Sequence, residues 1–124
     1  MEDNRVEIFN QIKAMMQAYA PPMTPKMDDE THYDLWSIKD LTIEGRKRKE
    51  VYLAGLILQK SYVGFYYMPV YVSAEAKQAI PEELLRLLKG KSCFHIKQLD
   101  QVVLEQIRAA LKMGFESYQE RGWV

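Results

Sequence analysis

Hydrophobic positions recur along this chain with two different periods, and the change of period divides it. Ile8, Ile12, Met15 and Tyr19 follow one another at spacings of four, three and four residues. That spacing lays one apolar stripe along a helix of about four turns. Asn4 stands at its start with Glu7 three residues later, the pattern of a capping box. Ala20-Pro21-Pro22 ends the helix, because proline lacks the N–H that the next turn needs. The stretch MTPKMDDET that follows is acidic and punctuated by proline, and it reads as a surface loop.

From Tyr33 onward the period shortens to two. YDLWSIKDLTI carries apolar residues on both alternating faces and is interrupted at Lys39-Asp40, which predicts a strand with a bulge there. Gly45 and the basic run Arg46-Lys47-Arg48-Lys49 read as a solvated turn. VYLAGLIL, the break Gln59-Lys60-Ser61 and YVGFYYMPV then predict a hairpin of two long apolar strands. In the second of these, Tyr62, Gly64, Tyr66 and Met68 share one face, and Val63, Phe65, Tyr67 and Pro69 share the other. Neither face is plainly polar. Helices are expected to cover one, leaving the other to rings whose hydroxyl tips stay near water. Gly55 and Gly64 leave gaps in this hairpin, to be filled by a neighbouring side chain or by an external group.

Helical signals then return. Ser73 is placed to cap AEAKQAI, and PEELLRLLK predicts a helix from Pro81 to a stop at Gly90. SCFHIK reads as a short strand. Asp100 caps a last helix whose face is Leu104, Ile107, Leu111, Phe115 and Tyr118, with Leu99 and Leu104 placed as a hydrophobic staple. The order α-β-β-β-α-α-β-α argues for an α+β fold. The expected architecture has two layers: a mostly antiparallel sheet of about four strands, with the N- and C-terminal helices packed on it.

The length of 124 residues fits a single domain, 1–124, large enough to bury its own core. Seventeen basic and seventeen acidic side chains cancel, so no global field draws in nucleic acid or an anionic membrane. One cysteine permits no internal disulfide, the acidic start is no signal peptide, and no apolar run approaches a membrane span. These features lead us to expect a cytoplasmic protein.

Several chemistries can be weighed residue by residue. GKS at 90–92 suggests a phosphate loop, but the residue five before Gly90 is Leu85, not the glycine that the loop needs. Cys93 and His95 share a strand face with Lys91 and Lys97, the arrangement of a nucleophile, a base and positive neighbours. A lone strand cysteine is more often a small core residue, and the expectation is no enzyme. Asp28, Asp29, Glu30 and Asp34 offer oxygen ligands to a hard cation, yet match no calcium loop. Trp36, Tyr52, Tyr62 and Tyr66, with Gly55 and Gly64 between them, form either core or the wall of a small-molecule pocket.

QKSYVGFYYMPVY at 59–71, LLKGKSCFHIKQLD at 87–100 and the closing helix with Gly114 resemble the YdhG-like domain family of bacterial proteins. The resemblance runs from about Tyr33 to the C-terminus and extends through the first helix. It implies a compact α+β domain with an antiparallel sheet, in a family largely without assigned function. One branch is regarded as frataxin-like, an intracellular iron chaperone using an acidic ridge on the first helix and adjoining strand edge. Here that helix offers only Glu2, Asp3 and Glu7, and Asp28 to Asp34 are the nearest substitute. The leading expectation is therefore a non-enzymatic module without cofactor that binds a small molecule or a second copy of itself through its aromatic face. Iron chaperoning through Asp28, Asp29, Glu30 and Asp34 is the alternative.

Overall fold

The computed structural model describes residues 4–124, and the backbone alone for Val72. Glu2 and Asp3 lie outside the described residues. Helix α1 spans Arg5–Gln17 and buries Ile8, Phe9, Ile12, Met15 and Met16. The stripe is wider than its periodicity suggested, and Tyr19, just beyond it, packs its ring on Phe115 at 4.9 Å. Asn4 precedes the helix but makes no side-chain cap bond, and Glu7 is instead bonded by Gln11 one turn on. The expected capping box is thus absent.

Strands β1 (His32–Ile43), β2 (Arg46–Leu58), β3 (Val63–Tyr67), β4 (Leu88–Lys89) and β5 (Cys93–Ile96) form one antiparallel sheet in the order β1-β2-β3-β5-β4. The sheet therefore has five strands, where about four were expected. The β1–β2 register slips between Ile38 and Leu41, at the Lys39-Asp40 break, and again between Leu35 and Trp36. The turn is Glu44-Gly45, both at positive φ, and the basic run belongs to β2 rather than to the turn. The second hairpin strand is short. Pro69 cannot donate to a ladder, and it opens the short helix α2 (Pro69–Val72) instead. As a result β3 pairs with β2 only from Ala54 to Leu58. Among the described residues, no strand pairs with β2 from Arg46 to Tyr52 on the side away from β1.

Helices α3 (Ala74–Gln78) and α4 (Glu82–Leu85) follow. Ser73 Oγ accepts from the Ala76 N–H and caps α3 as its sequence implies. The helix expected to reach Gly90 stops after one turn, because Leu88 and Lys89 pair with Phe94 and Cys93. Gly90, at φ +76°, turns the chain between β4 and β5. Helix α5 (Gln101–Glu120) begins at Asp100, whose carboxylate accepts from Val102 and Val103.

Helices α1 and α5 cover the same face of the sheet. Leu35, Leu53, Ala54, Leu56, Val63, Phe65, Tyr67, Phe94 and Ile96 point into that layer, and all are at most 1 % exposed. Their contact with Ile12, Leu104, Ile107 and Leu111 makes one continuous core. The Tyr67 hydroxyl donates to the Ala110 carbonyl, and the Tyr118 hydroxyl donates to the Tyr52 carbonyl at 2.7 Å. Both bonds fasten α5 to the sheet by burying a phenol that keeps its hydrogen bond. On the outer side of β1, Thr24 exchanges backbone hydrogen bonds with Trp36, and Met27 accepts from Asp34. The acidic loop thus doubles as a cover for the β1 edge.

Candidate aromatic cleft

Among the described residues, no helix covers the opposite face of the sheet. Asp34, Trp36, Tyr52, Gly55, Gly64, Tyr66, Cys93 and His95 alternate with the core residues and lie on it. The glycine gaps there are filled from within the chain. A Cβ at Gly55 would overlap the Tyr52 hydroxyl and lie 2.9 Å from Asp34 Oδ1. A Cβ at Gly64 would lie 3.2 Å from the Tyr66 ring and 3.5 Å from Tyr62. The tyrosines therefore lie down over the glycines, and burial raises the Tyr52 and Tyr66 phenols above their ordinary range.

The six expected binding residues do not form one concave wall. Tyr62 stacks on His95 with ring centroids 3.9 Å apart, Tyr66 lies over Gly64, and neither lines the cleft that Trp36 and Tyr52 share. Trp36 and Tyr52 are brought together, their rings 4.8 Å apart, and they line an open cleft of about 920 Å³ beside the unpaired stretch of β2. Three further rings line it: Tyr71 from α2, Tyr118 from α5, and Trp123 after α5. Glu44, Arg48, Glu50 and Arg121 supply its charges. Trp123 is fixed edge-on against Tyr118 at 4.9 Å, and its carbonyl accepts from buried Ser37. Lys26 lies over the Trp36 ring at 4.4 Å and pairs with Glu50 at 2.7 Å. Among the described residues, the buried Trp36 indole nitrogen has no acceptor, which is uncommon for a native donor.

Reasoning from sequence missed Tyr71, Tyr118 and Trp123. Tyr118 was assigned to the face of α5, which is correct, but nothing in its spacing says that its outer end meets β2. The cluster of rings at the C-terminal end was the one available signal.

The other candidate residues are placed apart from the cleft. Burial raises the Cys93 thiol above its ordinary range, with a hydrogen bond to Tyr66 acting weakly in the other direction. Lys91, which shares its strand face by sequence, sits over the Tyr71 ring at 5.6 Å. A thiol so placed is a poor nucleophile. Among the four acids, Asp28 pairs with Lys13 at 2.9 Å. The Asp29 carboxylate accepts the Thr31 and His32 N–H groups, each at 2.8 Å, and these bonds lower its pKa. His32 Nε2 lies 2.8 Å from Asp34 Oδ1, and Glu30 is exposed. Among the described residues, no three His, Cys, Asp or Glu side chains converge as a metal group would require. None of the described helices is long and apolar enough to cross a membrane.

No family model, no curated protein and no solved structure matches the chain.

Proposed function

We propose that this protein is a non-enzymatic binding module and that its ligand is a small planar molecule held in the Trp36–Tyr52–Trp123 cleft. One observation carries the reading: five rings, from β1, β2, α2, α5 and the segment after α5, line a single open cleft of about 920 Å³. That size, and a lining of rings with a few charged groups, is the usual form of a small-molecule site. The rings supply stacking surface, and Arg48 and Arg121 supply donors at the rim. The raised thiol of Cys93 supports the absence of covalent chemistry. Iron delivery has no comparable support, because Asp28, Asp29 and Asp34 already hold partners within the chain.

The chain has two tryptophans, Trp36 and Trp123, and both line the cleft, so its intrinsic fluorescence reports this site alone. A screen of planar aromatic compounds at millimolar concentration is expected to shift or quench that emission. Tyr71, at 57 % exposure, is free of any core role, and Tyr71→Ala is expected to weaken the effect while leaving the fold intact. Sedimentation distinguishes the other occupant, a second copy of the chain. A strict monomer whose emission ignores every compound ends the proposal.

A further inference from the structure

At the opposite end of α5 lies a second pocket, of about 420 Å³, between α4, the β4–β5 hairpin and the start of that helix. Twenty helical residues place the two pockets about 30 Å apart. Its lining is unlike that of the aromatic cleft. Arg86 follows α4, Lys89 lies on β4, and His95 and Lys97 come from the end of β5 and just beyond. All four are nitrogen donors. Glu83 and Asp100 are the carboxylates present, and both are engaged. Glu83 accepts from Gln106 Nε2 at 2.7 Å, and Asp100 accepts the first N–H groups of α5. Neither Lys89 nor Lys97 has a carboxylate partner among the described residues. Arg86 pairs with Glu82 at 2.7 Å, but the two side chains are 69 % and 72 % exposed, so the pair is weak and readily exchanged.

We infer that this pocket binds the phosphate group of a small organic phosphate, through Arg86, Lys89, Lys97 and His95. A phosphate offers three acceptor oxygens to a guanidinium fork, two point charges and an imidazole, a set that a single carboxylate fills less completely. The space left over is bounded by the apolar side chains of Leu87 and Val103, which suit a carbon skeleton. His95 is a built-in sensor of this field. Partial burial, then the charges of Lys89 and Lys97, hold its imidazole below the ordinary range. Tyr62 covers one ring face, and the remaining charges facing the pocket are Arg86, Glu83 and Asp100. A bound dianion reverses the local sign and so raises the His95 pKa.

The test follows the two imidazoles by NMR through a pH titration, at one ionic strength set by sodium chloride, inorganic phosphate, phenyl phosphate or citrate. His32 lies on β1, outside the pocket, and is the internal reference. The His95 midpoint is expected to rise in phosphate and further in phenyl phosphate at equal concentration, with the His32 midpoint unmoved. Lys89→Gln and Lys97→Gln, both at exposed positions, are expected to weaken phosphate binding about threefold each. Lys112→Gln, on the exposed side of α5, leaves binding unchanged. A His95 midpoint equal in chloride and phosphate overturns the site, as does undiminished binding in the double lysine variant. Citrate binding as well as phosphate overturns the phosphate assignment, and phenyl phosphate binding no better than phosphate overturns the organic one.

Discussion

The Tyr52 ring folds back over Gly55, so that its hydroxyl fills the space where a side chain at position 55 would begin. Trp36 holds the ring at 4.8 Å, and Asp34 closes the remaining side. Gly55→Ala must therefore displace a packed ring, at about 1–3 kcal/mol of stability. Gly64→Ala meets only the edge of Tyr66, at 3.2 Å, and should cost under ~1 kcal/mol. Urea unfolding midpoints of the two variants check the order, and equal losses would contradict the packing described here.

Gly114 poses a similar question inside a helix, where alanine is intrinsically better by about 1 kcal/mol. Here a Cβ would lie 2.6 Å from the Tyr67 hydroxyl and 2.9 Å from Pro69. The Tyr67 ring is fully buried and its hydroxyl is bonded to Ala110, so it cannot swing away cheaply. Overpacking of about 1–3 kcal/mol outweighs the propensity gain. Thermal denaturation of Gly114→Ala should show a lowered midpoint. A raised one would mean that α5 stands further from β3 than described.

Burial also sets the behaviour in alkali. It raises the phenols of Tyr52, Tyr67 and Tyr118 far above their ordinary value. Because the folded pKa exceeds the unfolded one, their stabilising contribution is complete below about pH 10 and declines as pH rises beyond it. Phenolate absorbance from these three rings should appear only together with loss of the circular dichroism of the fold. Tyr118→Phe, which also loses the bond to the Tyr52 carbonyl, should cost about 1 kcal/mol at neutral pH.

Cys93 gives the fourth expectation. Its raised thiol pKa means less thiolate at neutral pH than an unhindered cysteine carries. Alkylation by iodoacetamide should be slower than for a free thiol and should accelerate with pH. Faster reaction would reopen the case for chemistry at Cys93 and His95.

Where one residue's own chemistry decides, the sequence was readable. The faces of β3 follow from alternation around Gly64, Ser73 and Asp100 cap their helices, and Lys39-Asp40 marks the slip in β1. Elements decided by distant partners were not readable. PEELLRLLK has helical spacing throughout, yet Leu88 leaves the helix because Phe94 offers a strand partner and His95 donates to the Leu87 carbonyl. The cleft was half visible for the same reason: Trp36 and Tyr52 come from one hairpin, whereas Tyr71, Tyr118 and Trp123 arrive from other elements. No local pattern announces that meeting.

The bare edge of β2 gives the basic run a different meaning. An unpaired strand is a template for another chain, and the Thr24–Asp29 segment and a two-residue β4 already blunt the two ends of the sheet. On the side of β2 away from β1, no described strand covers the stretch Arg46 to Lys49, and Arg46, Lys47, Arg48 and Lys49 occupy it with exposed side chains. Four adjacent positive charges there would repel an identical strand approaching the same edge.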